Sequence, residues 1–288
     1  MVEIYASWSK GLTQDLDALK ALKNSNVIAG VELFNLTDSL DLLKSIDLKY
    51  NQHNALRDYN LGLESEYFIP TMQKFPQVVK RCKESAPSVI GFHIGYSAVE
   101  EKNVLSSTVL SNTLRSLNFL DHLLDKKILF ETAPYHPFHF QKGNPAVLKY
   151  VSSPEFVKQL LMKSRSGYLF DISHNFVSAA TKIDRGEYKG EIEDYFAQML
   201  TSCANETYQL HLNVPSFTKE NGYSDTHGLI KLNNALGKRI LLIAKEIVDS
   251  CPNLKVITLE MNTNLPAKKH AKLMIQQGKI VEKELLKK

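Results

Sequence analysis

Tyr168-Leu169-Phe170-Asp171-Ile172 is a short, β-prone apolar run broken at one place, by an aspartate next to its end. Five residues suit a strand better than a helix. The absence of in–out alternation marks a strand buried on both faces, as in a parallel sheet. Runs of the same kind recur along the chain: Val2 to Ala6, Val27 to Phe34, Leu48 to Gln52, Val89 to Ile94, Ile128 to Thr132, Thr207 to Leu212 and Val256 to Glu260. With Tyr168 to Ile172 they make eight. Between them lie longer segments of helical periodicity, among them Leu105 to Leu124 and Asn233 to Val248. Ser152-Ser153-Pro154 reads as a helix start with proline in the first turn. Eight alternating β and α units predict an α/β chain folded as a (β/α)8 TIM barrel. No internal repeat, low-complexity tract or linker divides it, so residues 1–288 are expected to form a single domain. A doubly wound open sheet is the alternative. It usually carries a glycine-rich phosphate loop after the first strand, which Ser9-Lys10-Gly11-Leu12 is not.

Hydrophobic residues make up 43% of the chain and charged residues 23%, which excludes disordered, collagenous and disulfide-scaffold classes. The longest apolar stretches, such as Val27 to Phe34, are about eight residues long, far short of the ~20 needed to cross a bilayer. That run also carries a charge, Glu32. No membrane association is expected. The opening Met1-Val2-Glu3-Ile4 has no basic segment before an apolar core, so no signal peptide is visible. Cys82, Cys203 and Cys251 are odd in number and far apart, which fits a reducing compartment, cytoplasmic or nuclear. The net charge of +4 is unevenly spread: seven lysines and two glutamates fall between Thr263 and Lys288, leaving 28 basic and 29 acidic residues elsewhere. The body therefore lacks the basic excess of a typical nucleic-acid reader. The lysine-rich end reads as the solvated face of a C-terminal helix outside the barrel.

In such barrels the chemistry sits where the strands end. The third run is followed by His53, and the fourth contains His93. Glu131 is at the end of the fifth, and Asp171 closes the sixth with His174 just beyond. The seventh carries His211, with Asp225 and His227 in the loop after it, and the eighth ends in Glu260. Alone, each has an ordinary reading: a strand-end histidine as a hydrogen bonder, Asp171 or Glu260 as a helix cap. Together, five histidines and four carboxylates converge on one rim. That exceeds the needs of one ion and suits two or three. Imidazole and carboxylate without thiolate fit zinc, manganese or iron. His122, His136, His139 and His270 fall elsewhere and receive no role.

These blocks resemble the endonuclease IV family of abasic-site DNA endonucleases. The resemblance rests on Asp171-Ile172-Ser173-His174, His211-Leu212-Asn213, Asp225-Thr226-His227 and Leu259-Glu260, and extends back through Phe130-Glu131-Thr132, Phe92-His93 and His53. It implies a (β/α)8 barrel with three Zn2+ ions, Mn or Fe being alternatives. One ion would take His53, His93 and Glu131. A second would share Glu131 and add Asp171, His211 and Glu260. The third would take His174, Asp225 and His227. Glu131 and Glu260 are the candidate catalytic carboxylates around a metal-bridged hydroxide. The implied reaction is phosphodiester hydrolysis 5′ to an abasic site, by a monomer acting on damaged double-stranded DNA.

The chain departs from the family where the family grips DNA. Tyr5 stands where the first strand would end in histidine, and the basic loop after the second strand is cut to Asn35-Leu36-Thr37-Asp38. Asn54-Ala55-Leu56 replaces the segment with an aromatic after the first ligand, and Thr226 replaces a phosphate-contacting arginine. Sugar isomerases and epimerases on similar barrels need only Glu131, Asp171, His211 and Glu260. Multinuclear iron oxidases share many ligands but tend to have asparagine at His174 and a second histidine at Pro215. A metal-binding relative without activity is the remaining alternative.

Overall fold

The computed structural model describes residues 1–8, 14–34, 40–53, 75–84, 89–94, 106–124, 126–136, 145–261 and 265–287. The expectations for Ser9 to Leu12, Asn35 to Asp38, Asn54 to Leu56 and His139 lie outside the described residues. The strands are β1 (Glu3–Trp8), β2 (Gly30–Leu33), β3 (Lys49–Gln52), β4 (Val89–Ile94), β5 (Lys127–Thr132), β6 (Gly167–Asp171), β7 (Thr207–Leu212), β8 (Val214–Thr218), β9 (Gly222–Gly228) and β10 (Val256–Leu259). Eight of them form one parallel sheet in the order β3-β2-β1-β10-β7-β6-β5-β4. Its two edges meet through a parallel bridge between His53 and Gly91. The fold is a (β/α)8 TIM barrel.

Helices α1 (Leu16–Lys23), α2 (Asp41–Ser45), α3 (Phe75–Glu84), α4 (Ser106–Leu123) and α5 (Pro145–Val151) lie in the first half of the chain. They are followed by α6 (Pro154–Lys163), α7 (Ile172–Asp184), α8 (Ile192–Cys203), α9 (Ala235–Ser250) and α10 (Ala267–Val281). Ser153 Oγ accepts the Phe156 N–H at 3.2 Å and starts α6 with Pro154 in its first turn, as the sequence suggests. β6 stops one residue short of the expected Ile172 because Asp171 caps α7, its Oδ1 accepting the His174 N–H at 2.6 Å. A capping carboxylate ends the strand where hydrophobicity alone would have extended it. Asn234 rather than Asn233 likewise sets the start of α9, accepting the Leu236 N–H at 2.8 Å. β1 runs on to Trp8, and β2 is confined to Gly30–Leu33.

Two kinds of interior result from strand alternation. Between strands and helices lies an apolar layer, in which Phe170 of β6 stacks on Phe196 of α8 with ring centroids 5.8 Å apart. Each such ring contributes roughly 1.5–3 kcal/mol by burial. Inside the ring, Val89, Leu129 and Leu169 fill one side. The other side is polar: Glu32, Asn51, Gln209 and Thr258 are fully buried there and bound to one another. The lysine-rich α10 packs against α1 outside the barrel, where the exposed Lys268–Asp17 pair at 2.7 Å adds little to stability. No described helix is long and apolar enough to cross a membrane.

Candidate metal centre

Parallel strands put their carboxyl ends on one rim, and register sets the ligand-type side chains at similar heights. His93 is opposite Glu131, and Asp171 is opposite His211. His53 enters from the barrel seam, its backbone N–H donating to Leu33 O at 2.9 Å. Room for its ring is made by Gly91, where a β-carbon would lie 2.5 Å from His53 Nδ1.

The structure brings all nine residues together. Glu131 is at the centre: Oε2 is 3.0 Å from His53 Nε2 and 2.9 Å from His93 Nε2, while Oε1 is 2.9 Å from His174 Nδ1 and 3.9 Å from His211 Nδ1. His211 Nδ1 also lies 2.9 Å from Glu260 Oε2 and 3.7 Å from Asp171 Oδ2. Asp225 Oδ2 is shared by His174 Nε2 at 3.1 Å and His227 Nε2 at 3.0 Å. His227 Nδ1 faces Glu260 Oε1 at 3.8 Å. The resulting metal-ready groups are His53–His93–Glu131, Asp171–His211–Glu260 and His174–Asp225–His227, with a fourth overlap of Glu131, Asp171 and His174.

Asp225 and His227 do not sit in a loop, as the sequence suggests, but on β9 of an antiparallel hairpin. The turn uses Gly222 at φ +66°, and Phe217 and Tyr223 pair across it at 5.0 Å. Tyr223 in turn packs edge-on against Phe176 of α7, 4.9 Å away, which seats the hairpin over His174. His227 has φ +50°, an uncommon conformation for a residue with a β-carbon. A register shift near Val214 accompanies it.

The donor set fits metal ions on the structure's own terms. Among the described residues, Glu131 Oε1 and Oε2, His211 Nδ1 and Asp225 Oδ1 are buried without a hydrogen-bond partner. Their neighbours are close but not aligned as donors, as expected of ligands aimed at a common point. Atoms about 2.1 Å from a tetrahedral ion are about 3.4 Å from one another, the range seen here. Three buried carboxylates and the partly exposed Asp225 also need compensating positive charge, and among the described residues only histidines pair with them. Burial would raise Glu131, but the charges of His93 and His174 hold it well below the usual carboxylate range. Burial, with Glu131 and Glu260 nearby, pushes Asp171 up. Burial opposes the charged form of His211 and of His227. Glu260 and Glu32 nevertheless hold His211 well above its ordinary value, and Glu260 and Asp225 raise His227 to about 10.

No protein-family model matches the chain, and no curated protein matches it in sequence. Solved structures match it in shape. Endonuclease IV from Thermus thermophilus superposes with a TM-score of 0.60 over 98% of each chain at 13% identity. The IolI protein with a binding zinc atom gives 0.65 over 98% of this chain and 99% of that one, at 12% identity. A xylose isomerase domain containing protein from Salmonella typhimurium gives 0.64 over 96% of each, at 10%. The chain shares the (β/α)8 barrel fold of these proteins. At these identities the likeness extends to the fold and no further.

Three polar partners of the site went unassigned in the sequence. Asn213 Nδ2 donates to both Asp171 Oδ2 at 3.1 Å and Glu260 Oε2 at 3.2 Å, and its place two residues after His211 is the signal that puts both on one face. Thr132 O lies 3.0 Å from His174 Nδ1. Glu32 reaches His211 Nε2 at 2.8 Å, and its signal is a lone charge in an apolar run. Of the histidines given no role, His270 is buried against Trp8, and His136 lies 3.1 Å from Ser224 Oγ on the hairpin.

Proposed function

We propose that the chain is a multinuclear metal-dependent hydrolase acting on phosphodiesters, and that DNA containing an abasic site is its substrate class. The observation that supports this reading best is Glu131, one buried carboxylate whose two oxygens face separate sets of imidazoles. Such a residue could hold ions at two neighbouring positions. His53, His93 and Glu131 would hold the first. Asp171, His211 and Glu260, with Glu131, would hold the second, and His174, Asp225 and His227 the third. Ions bound there would neutralise the charge on a phosphate and lower the pKa of an attacking water. Asn213 holds Asp171 and Glu260 together, and Asp171 is further fixed by capping α7. These hydrogen bonds fix the two carboxylates beside His211 Nδ1. The test is incision of an abasic-site duplex by metal-loaded protein. Cleavage on the 5′ side of the lesion is expected, and no incision of that duplex would overturn the substrate.

A second reading is a sugar isomerase or epimerase, since xylose isomerase domain proteins match this barrel as well as endonuclease IV does. It would use Glu131, Asp171, His211 and Glu260 alone. The buried His174 and the partly exposed Asp225 and His227, joined through Asp225 Oδ2, favour the hydrolase, because an isomerase leaves them without a task. An iron oxidase built on the same donors is distinguished by metal identity.

A further inference from the structure

β2 supplies none of the nine ligand-type residues, yet it carries a carboxylate into the barrel. Glu32 is fully buried one layer beneath the metal-ready groups. Its Oε2 accepts from Asn51 Nδ2 at 3.0 Å and from Gln209 Nε2. Its Oε1 has no hydrogen-bond partner among the described residues, and His211 Nε2 lies 2.8 Å from it. Gln209 Nε2 donates to Glu32 Oε2 and lies 3.1 Å from Thr258 Oγ1 and 3.2 Å from His211 Nε2. The acceptor nearest His211 Nε2 is Glu32 Oε1, whereas Nδ1 faces Glu260 and Asp171.

We infer that Glu32 is a positioning residue for the metal centre: its Oε1 accepts the hydrogen bond of the His211 Nε2–H, which fixes that tautomer and leaves the Nδ1 lone pair to coordinate an ion. The inference rests on the metal reading of the site. The reason is general. A neutral imidazole offers one lone pair, and the partner of its other nitrogen decides which one and how basic it is. Asn51, Gln209 and Thr258 complete the device. By satisfying Oε2 and one another they hold the carboxylate in one rotamer, with Oε1 2.8 Å from His211 Nε2. An apolar residue would fill this layer as Leu129 and Leu169 fill the opposite side. The polar half lies under the ligand that needs an oriented ring.

The test is a Zn2+ titration, against a competing chelator, of metal-stripped wild type and of Glu32→Gln, with 15N-histidine NMR of zinc-loaded wild type. The spectrum should show His211 protonated at Nε2 and coordinated through Nδ1. Glu32→Gln, nearly the same size, should weaken one site about ten- to a hundred-fold, the usual effect of losing an outer carboxylate, and leave the others unchanged. Coordination through Nε2, or equal zinc affinities in both proteins, overturns the role of Glu32 while leaving the metal reading intact. Wild type that takes up no zinc overturns both. Should the variant fail to fold, the wild-type spectrum decides alone.

Discussion

His53 occupies the space that a side chain at position 91 would need, with its Nδ1 2.5 Å from where a β-carbon on Gly91 would stand. The bridge between these residues is also the seam that closes the barrel. Structure and site are thus coupled at one point. Gly91→Ala should push His53 out of line with Glu131 and cost about 1–3 kcal/mol by overpacking. Thermal unfolding together with metal content would show both effects. A variant with unchanged stability and full metal content would contradict the coupling.

Glu131→Gln keeps the shape of the central side chain and removes its charge. It should abolish turnover and lower the metal content, with the barrel still folded by circular dichroism. Near-normal activity would show that Glu131 does not join two ions.

The metal-free protein should give up protons when it binds ions. His227 titrates near 10 and His211 well above its ordinary value, so both carry a proton at neutral pH that a metal must displace. Calorimetry in buffers of different ionisation enthalpy should show about two protons released per chain at pH 7. Stability of the metal-free form follows the same sign. The raised pKa of His227 contributes in full below about 6.5. That contribution is lost as pH climbs through about 10. Proton-neutral metal binding would argue against these charge states.

Lys182 of α7 is buried, with Nζ 3.1 Å from Ser152 O and 3.2 Å from Tyr195 OH, and burial pushes its pKa down to about 7. A lysine depressed in the folded state destabilises below its unfolded pKa. The penalty grows as pH falls from about 10.5 toward 7 and is constant below that. Lys182→Met should therefore stabilise the protein by about 1–2 kcal/mol at pH 7, with the gain shrinking toward pH 10. Tyr195 still donates to Ser152 O in the variant. Unfolding midpoints of both proteins at pH 6 and pH 9.5 test the trend.

Thr226 is exposed on β9 between Asp225 and His227. In the DNA-hydrolase reading, Thr226→Arg adds one phosphate contact. It should tighten abasic-duplex binding and steepen the salt slope by about one. In the small-molecule reading it does nothing for DNA. Fluorescence anisotropy over a salt series separates the two.

The barrel was legible because each strand is a compact apolar run, and the ligand-type residues stood out as polar interruptions at the ends of those runs. Asp171 in Tyr168-Leu169-Phe170-Asp171 is the clearest case. The β8–β9 hairpin was not legible: Ser216, Thr218, Ser224 and Thr226 give it no apolar run, and it is held by Phe217, Tyr223 and the distant Phe176. Nor does spacing reveal that Glu32 meets His211, since closure of the ring brings β2 and β7 together across its interior. Strand boundaries moved where a local hydrogen bond outweighed hydrophobicity, as at Asp171.

The central claim is that one barrel mouth holds several ions joined through Glu131. Elemental analysis of purified, active protein tests it most directly. The account predicts more than one transition-metal ion per chain, about two to three from the number of ligands. A fully active preparation with a single ion per chain would contradict it and point to the isomerase reading instead.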